Sequence, residues 1–311
     1  MGTKSLLVSL FAGLLLLTVA ALPPGRPRPP LLGVAKITLR ASDLDRSTTF
    51  YRDLLGFPEA GRRGLARRFR INQHQYVELR QGLNPGEDRM ISVSLQTDQI
   101  ETMRRYLGTH GWKVPRTVAV DAWGDQTFQV ADPEGRWLEF VEYRSQGHGA
   151  DLAVAKRLQS PHQISRRLMH AGIIATDVPS AFRFYGDILG LQEFWRGQGR
   201  ESTYLSWINL RLPESQDYLE LMLYGKEPPG DRRGSAHHLC LEVAEIETAR
   251  QLLDTNPGRA GYDRPLEIRV GVNRRRQLNL FDPDGTRSEL MEPGTIDGVR
   301  PASSTAPYPP R

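Results

Sequence analysis

The period of the apolar positions switches several times along the chain between two residues and about 3.6 residues. Residues 34–41 are mostly β-formers and predict a strand, and helical spacing after Asp43 predicts a helix that ends at Gly56. Shorter strand-like runs follow at residues 65–71 and 75–80. The first stretch of the chain therefore predicts a unit built of a strand, a helix and further strands.

The same pattern begins again at three later positions. Residues 91–97 and 237–243 each predict a strand that precedes a helical segment. Residues 168–191, LMHAGIIATDVPSAFRFYGDILGL, repeat the spacing of residues 33–57, GVAKITLRASDLDRSTTFYRDLLGF. Four units of about 50 residues, arranged in two pairs, limit the architecture. Because one unit cannot cover its own sheet face, each pair is expected to form a curved sheet around a cleft, with the helices outside.

The N-terminus predicts an export signal. Lys4 precedes an apolar run of about 17 residues, and small residues follow at 19–21. An uncleaved membrane anchor is the alternative, since about 17 residues is close to the shortest membrane span. Both alternatives place the folded part outside the cytoplasm, in the periplasm or secreted.

The remaining segments follow from composition and pattern. Residues 145–167 lack strand alternation and are expected to hold a short helix at 152–158. The predicted organisation is a signal peptide or anchor at 1–22, a Pro-rich linker at 23–32, domains at 33–144 and 168–293 separated by a linker at 145–167, and a disordered tail at 294–311.

The composition is that of a folded protein. Of 311 residues, 39% are hydrophobic and 25% are charged, which excludes a disordered chain. The net charge of +5 would suit an anionic partner, but the arginines form no stripe interleaved with aromatic residues, so no nucleic-acid partner is expected. The single cysteine, Cys240, excludes an internal disulfide.

Four residues of the second pair are candidate metal ligands. His170 opens the first strand of the third unit and Glu220 lies in its last strand, 50 residues later. His238 and Glu289 occupy the same places in the fourth unit, 51 residues apart. Imidazole and carboxylate together suit Zn, Fe, Mn, Ni or Co better than Ca or Mg. A lone histidine on a strand is more often an ordinary polar residue, and either glutamate alone could be an exposed strand residue, but the symmetry of the set favours a metal site.

His237 competes with His238 for this role. The two lie on opposite faces of a strand, and only His238 keeps the register of His170 within its own unit.

The first pair serves as an internal control. The matching positions there are Lys36, Glu78, Ser92 and Glu139. Ammonium and hydroxyl groups are poor ligands for a transition metal, so the first pair is predicted to bind none. Because both glutamates persist without histidines, part of the glutamate signal is structural, and Glu220 is the weakest of the four assignments.

The repeated helix end FYGDILGL, the two histidines and the turn-strand DPDGTRSEL resemble the vicinal oxygen chelate superfamily. This superfamily includes glyoxalase I, bleomycin and fosfomycin resistance proteins, methylmalonyl-CoA epimerase and extradiol ring-cleaving dioxygenases. The resemblance covers about residues 33–293. It implies an α+β fold of four βαβββ modules in two pairs. It also implies one divalent transition metal (Fe, Zn, Ni or Mn) that binds adjacent oxygens of a small-molecule substrate.

Two patterns within the superfamily compete. Glyoxalase I uses two histidines and two glutamates, and the set His170, Glu220, His238 and Glu289 is similar to it; Glu289 or Glu220 is then the base that moves a proton. Extradiol dioxygenases use two histidines and one glutamate in the second of two fused domains, with an acid–base His and Tyr nearby. The corresponding stretch here lacks both, and Asn279 stands near the Tyr position. A glyoxalase-type isomerase or lyase is therefore expected, with a dioxygenase and a non-catalytic binding protein as alternatives.

Two further features lie near the last ligand strands. Four arginines, at 269, 274, 275 and 276, are candidates to hold an anionic substrate, with a solvated loop as the alternative. Cys240 shares the face of His238 by strand period, where it either lines the cleft or is simply buried.

Overall fold

The structure is a computed structural model that describes residues 27–144 and 160–310. The predicted signal peptide or anchor at 1–22 lies outside the described residues, as does the predicted short helix at 152–158. Within the described residues, no helix is both long enough and apolar enough to cross a membrane.

Two eight-stranded mixed sheets form the framework, one from each pair of units. The first sheet has the order β2-β3-β4-β1-β5-β8-β7-β6, and the second repeats this order as β10-β11-β12-β9-β13-β16-β15-β14. The first-sheet strands are β1 (Gly33–Ala41), β2 (Glu59–Arg63), β3 (Ala66–Arg70), β4 (Tyr76–Gln81), β5 (Met90–Gln96), β6 (Ala119–Val120), β7 (Gln126–Ala131) and β8 (Trp137–Glu142). The second-sheet strands are β9 (Leu168–Ala175), β10 (Gln192–Gln198), β11 (Leu205–Arg211), β12 (Tyr218–Leu223), β13 (His238–Glu242), β14 (Ile268–Val270), β15 (Arg276–Phe281) and β16 (Arg287–Met291).

The sheet order confirms the α+β fold of four modules in two pairs. In each sheet the first strand of one module lies antiparallel beside the first strand of the next, β1 beside β5 and β9 beside β13. On its other side, each of these strands pairs in parallel with the last strand of its own module. The four first and last strands therefore form the centre of each sheet, where their inward side chains face one cleft.

Helices link the strands of each module. They are α1 (Leu44–Thr48), α2 (Ile100–Thr109), α3 (Val178–Ala181) and α4 (Ile246–Thr255), and α1 and α3 continue as π-helices at Thr49–Leu54 and Phe182–Ile188. Asp43 caps α1, because its Oδ1 accepts hydrogen bonds from Asp45 N at 2.8 Å and Arg46 N at 3.0 Å. Gly56 and Gly190 end the two π-helices with φ near +70°, which only glycine adopts without strain.

Two related hydrogen bonds join the pairs. Tyr51, from the first pair, donates to Asp282 Oδ2 of the second at 3.0 Å. Tyr185, from the second pair, donates to Asp132 Oδ2 of the first at the same distance. The aspartates open two related turns, Asp-Pro-Glu-Gly at 132–135 and Asp-Pro-Asp-Gly at 282–285, and all four side chains are buried. The symmetry of the sequence repeat is therefore also the symmetry of the contact between the two pairs.

The C-terminal segment differs from its predicted disorder. Residues 294–310 lie along the second sheet, where Ser304 N donates to Arg196 O at 3.0 Å and Leu205 N donates to Pro307 O at 2.8 Å. Ala306 packs against the core. One backbone hydrogen bond to the edge strand β10 and one to the first residue of β11 hold this segment, and composition does not reveal such bonds.

Candidate metal centre

Sheet register brings the four candidate ligands to the centre of the second cleft. His170 on β9 lies beside Cys240 on β13, which in turn pairs with Glu289 on β16. Gly172 on β9 lies between Glu220 on β12 and His238 on β13. All four candidates therefore project from the inner face of neighbouring central strands.

The four side chains converge on one point. His170 Nε2 and His238 Nε2 are 3.1 Å apart. Glu220 Oε2 lies 3.7 Å from His170 Nε2 and 3.5 Å from His238 Nε2, and Glu289 Oε2 lies 3.6 Å from each. One donor atom from each residue falls within 4.8 Å of all the others, and all four residues are buried. The structure thus assembles the predicted set, and its role as a metal site stays a prediction.

The donor set fits a divalent transition metal. His238 Nδ1 donates to Ala236 O at 2.9 Å, which directs the lone pair of Nε2 into the cluster. Gly172 makes room for this ring, because a Cβ there would lie 2.0 Å from His238 Nδ1. An imidazole fixed by its second nitrogen and flanked by carboxylates is the arrangement such ions require.

Burial and neighbouring charges set the protonation of the cluster. Burial and the adjacent His238 lower the pKa of His170, and burial with the Arg287 guanidinium lowers the pKa of His238. Both imidazoles are therefore neutral and able to ligate. Burial and the nearby Glu289 charge raise the pKa of Glu220. Burial alone would also raise the pKa of Glu289, but Arg287 and His238 outweigh it and lower that pKa.

The matching positions of the first pair hold a buried ion-pair network. The register of β1 with β4 and β5, and of β5 with β8, confirms that Lys36, Glu78, Ser92 and Glu139 occupy the equivalent places. Lys36 Nζ lies 3.3 Å from Glu78 Oε2 and 3.1 Å from Glu139 Oε1, with almost no exposure. In the first pair, an ammonium ion thus lies between the two carboxylates, at the position where the second pair has His170.

Arg287 is a site residue that the sequence reasoning missed. Its Nη2 lies 2.9 Å from His238 Nε2 and 3.0 Å from Nδ1. Strand period offered a signal, because Arg287 precedes Glu289 by two residues on β16 and shares its face. By the same rule Tyr218 shares the face of Glu220, and its ring centre lies 4.4 Å from that of His170.

Two cavities open beside the ligand cluster. One, of about 680 Å³ including space open to solvent, reaches Glu220, Glu289 and Arg287. The other, of about 520 Å³, reaches Tyr218 and Arg275. Both are lined by Trp195 and Asn273, so they are two lobes of one cleft. Buried polar atoms without a hydrogen-bond partner among the described residues surround it, on Trp195, Asn209, Asn279 and Arg287. Such atoms are rare unless a ligand or water satisfies them.

Comparison with protein families gives one match. A family model described as the Glyoxalase/Bleomycin resistance protein/Dioxygenase superfamily matches residues 33–140 and 167–290, one region in each pair. No curated protein matches the chain in sequence.

Solved structures of similar fold come from both branches of that description. An extradiol ring-cleaving dioxygenase from B. fuscum is 21% identical, with a TM-score of 0.66 over 92% of this chain and 78% of that chain. The 2,3-dioxygenase LapB from Pseudomonas sp. KL28 is 16% identical, with a TM-score of 0.63 over 91% and 98%. The Mn(II)-bound glyoxalase from Novosphingobium aromaticivorans is 16% identical, with a TM-score of 0.64 over 91% and 89%. At these identities the likeness concerns the fold.

Proposed function

The chain belongs to the glyoxalase/bleomycin resistance protein/dioxygenase superfamily, and from this premise we propose that it is a metal-dependent enzyme of the glyoxalase type. Its reaction is an isomerisation or lyase reaction of a small molecule with two adjacent oxygens. The observation that carries the proposal is the convergence of two imidazoles and two carboxylates within 4.8 Å in the second cleft. Fe, Zn, Ni or Mn suits this donor set.

The four site residues have two roles, which are binding the metal and transferring a proton. When bound, the metal supplies Lewis acidity toward adjacent carbonyl and hydroxyl oxygens of the substrate. His170, His238 and Glu289 hold it, each from a different central strand. Glu220 Oε2 takes a proton from the carbon beside those oxygens and returns it to the neighbouring position. We assign this role to Glu220 because it is the more exposed of the two glutamates, 7% against 3%.

Elemental analysis tests the site. Wild type, His170→Ala and His238→Ala are purified without chelator, beside His110→Ala as a matched control at an exposed histidine. We expect one metal per chain in wild type and in the control, and at least a tenfold lower content in the two site variants. Unchanged metal in both site variants would show that the cluster is not a metal site.

Proton exchange tests the reaction. Glu220→Gln is expected to keep its metal while slowing deuterium exchange beside the carbonyl of 2-hydroxy ketones by about 100-fold or more, the usual contribution of a general base. NMR in deuterated water measures the exchange. Exchange at the wild-type rate in this variant would remove Glu220 from the mechanism.

A ring-cleaving dioxygenase is the second candidate. The confinement of the donor set to the second of two fused pairs favours it, as in the layout of extradiol enzymes. Asn279, paired opposite Glu289, stands where those enzymes carry an acid–base residue, and this favours the glyoxalase type. Oxygen uptake on catechol by Fe(II)-loaded protein would favour the dioxygenase. If the purified protein contains no metal at all, a non-catalytic binding protein is the remaining candidate function.

A further inference from the structure

Arg275 is set apart from the three neighbouring arginines that the sequence offered as candidates for an anionic substrate. Each of the other three is held in an ion pair with a nearby carboxylate. These pairs are Arg269 with Glu267, Arg274 with Asp297, and Arg276 with Glu292. Three of the four candidates are therefore part of a solvated surface, which was the alternative interpretation of these arginines.

Arg275 instead points into the cleft without an anion. Its Nη1 lies 3.7 Å from Met169 Sδ and 3.9 Å from Met291 Sδ. No carboxylate of the described residues lies within ion-pairing distance of it. Thioether sulfur is a weak acceptor, and a half-buried guanidinium that lacks an anion is costly to desolvate. An anion from outside the chain would complete this arrangement.

The lobe around Arg275 is cationic. Its lining includes two arginines and no carboxylate, with the second guanidinium supplied by Arg300 of the C-terminal segment. Nearby, the Arg211 guanidinium lies 4.5 Å above the ring of Phe194, a lining residue, and its buried Nε has no hydrogen-bond partner among the described residues. In the lobe that holds Glu220 and Glu289, by contrast, two arginines balance the two carboxylates.

The cationic lobe adjoins the ligand cluster directly. Met169 precedes His170, and a register shift opposite it between Cys240 and Leu241 turns Met169 toward the cleft. Met169, Tyr218 and Met291 form one buried cluster beside the candidate ligands. Tyr218 lines the cationic lobe and its ring centre lies 4.4 Å from that of His170, so the lobe lies next to the four-residue site.

We infer that the substrate carries a carboxylate, that Arg275 binds this group, and that the adjacent oxygens of the same molecule occupy the four-residue site. A guanidinium matches a carboxylate with two parallel hydrogen bonds, which fixes orientation as well as charge. The inference rests on the proposed function, and it makes Arg275 the residue that selects acids over neutral analogues.

Binding of a matched acid and amide tests the inference. 3,4-Dihydroxybenzoate and 3,4-dihydroxybenzamide share the vicinal oxygens and differ in charge. Protein loaded with Zn²⁺, which has no redox chemistry to turn these ligands over, is titrated calorimetrically with each. Wild type should bind the acid at least tenfold more tightly, about 1.4 kcal/mol. Arg275→Gln should bind both equally, and the control Arg274→Gln should keep the wild-type ratio.

A second measurement separates this inference from the proposed function. Benzoate and benzamide are titrated into metal-free His170→Ala, with and without Arg275→Gln. If benzoate binds more tightly than benzamide and this difference requires Arg275, the anion site is supported even if the cluster binds no metal. An acid-to-amide ratio that is the same in Arg275→Gln and wild type overturns the inference whatever the metal content. So does the absence of acid binding to Zn²⁺-loaded wild type.

Discussion

At the scale of single residues, Gly172 decides whether His238 can point into the cluster. A Cβ at this position would lie 2.0 Å from the imidazole and 2.7 Å from Ala236 O, the acceptor that orients it. The first pair has Thr38 at the equivalent place, opposite the small Ser92. The position equivalent to Gly172 thus accommodates a side chain when the residue opposite it is not a histidine.

We expect Gly172→Ala to lower metal affinity by about 10–100-fold without removing a ligand, the usual effect of disturbing the support of a metal-binding histidine. A competition titration with a chromophoric chelator measures it. The control is Gly172→Ala with His238→Ser, which places a side chain opposite a serine, as in the Thr38–Ser92 pair, and should fold stably without metal. Wild-type affinity in the single variant would contradict the assignment of His238 as a ligand.

Lys36 is the single cation between two carboxylates of the first pair, Glu78 and Glu139. Replacing it by methionine leaves Glu139 buried without its Lys36 ion pair, while Glu78 keeps two arginine partners. The loss costs about 3–5 kcal/mol of unfolding free energy. Urea denaturation measures the loss. Lys113→Met, at an exposed lysine, should change stability by no more than about 0.5 kcal/mol.

A compensating change sharpens this prediction. Adding Glu139→Gln to Lys36→Met removes the carboxylate charge that has lost its partner and should restore part of the lost stability. If Lys36→Met costs no more than the Lys113 control, the ammonium does not stabilise the first pair.

The candidate ligands could be predicted from the sequence because strand register and residue type together determine them. The two pairs differ in residue type at equivalent strand positions, with His170 in place of Lys36 and His238 in place of Ser92. Because strand pairing is regular, these sequence positions determine where the side chains lie in the sheet. Arg275 could not be separated from its neighbours in this way. It lies in the turn before β15, where no period tells which side chain points inward.

At the scale of secondary-structure elements, the central strands were predictable and the edge strands β2 and β10 were not. β9, LMHAGIIA, is buried along its whole length, so it appears in the sequence as a continuous apolar run. β2 and β10 pair on one side only and are half-exposed, with the sequences EAGRR and QEFWRGQ. Their side chains bury too little apolar surface to give a pattern.

The C-terminal segment protects one of these edges. Its bond from Ser304 N to Arg196 O covers a backbone carbonyl of the edge strand β10, and its bond from Leu205 N to Pro307 O covers the first amide of the neighbouring β11. A chain that ends at residue 302 should lose about 1–3 kcal/mol, from backbone bonds of about 0.5–1.5 kcal/mol each. It should also associate at high concentration. Urea denaturation and light scattering measure the two effects, and a chain that lacks only residues 309–311 is the control.

At the scale of the whole molecule, the two pairs are coupled through the related turns that Asp132 and Asp282 open. Asp282 Oδ1 accepts hydrogen bonds from Asp284 N and Thr286 N, which shapes its turn, while Oδ2 accepts from Tyr51 of the other pair. The first pair, which has no histidine at the positions equivalent to the candidate ligands, therefore still supports the second. Its turn residue Asp132 makes the same contact with Tyr185, on the helix that follows the His170 strand.

The pH dependence of stability tests this coupling. Burial raises the pKa of Asp282 to about 6, and the hydrogen bond from Tyr51 opposes that rise. Because the pKa in the folded state exceeds the unfolded value of 3.8, the stabilisation from Asp282 is complete below about pH 3.8. It is lost as the pH rises through 6. The Tyr51 hydroxyl stabilises the ionised carboxylate, so its removal costs more at neutral pH than in acid.

Tyr51→Phe should therefore lower the unfolding free energy by about 1–3 kcal/mol at pH 7, the cost of leaving a buried acceptor without its donor. It should cost less at pH 4.5, where Asp282 is mostly protonated in the folded state. Tyr185→Phe removes the related bond to Asp132 and should also destabilise the protein at pH 7. Adding Asp282→Asn to Tyr51→Phe should remove the difference between the two pH values, because no carboxyl group then titrates at the contact. Urea denaturation of each variant beside wild type at both pH values measures these differences. An equal cost of Tyr51→Phe at pH 4.5 and pH 7 would mean that this hydroxyl does not sense the charge of Asp282.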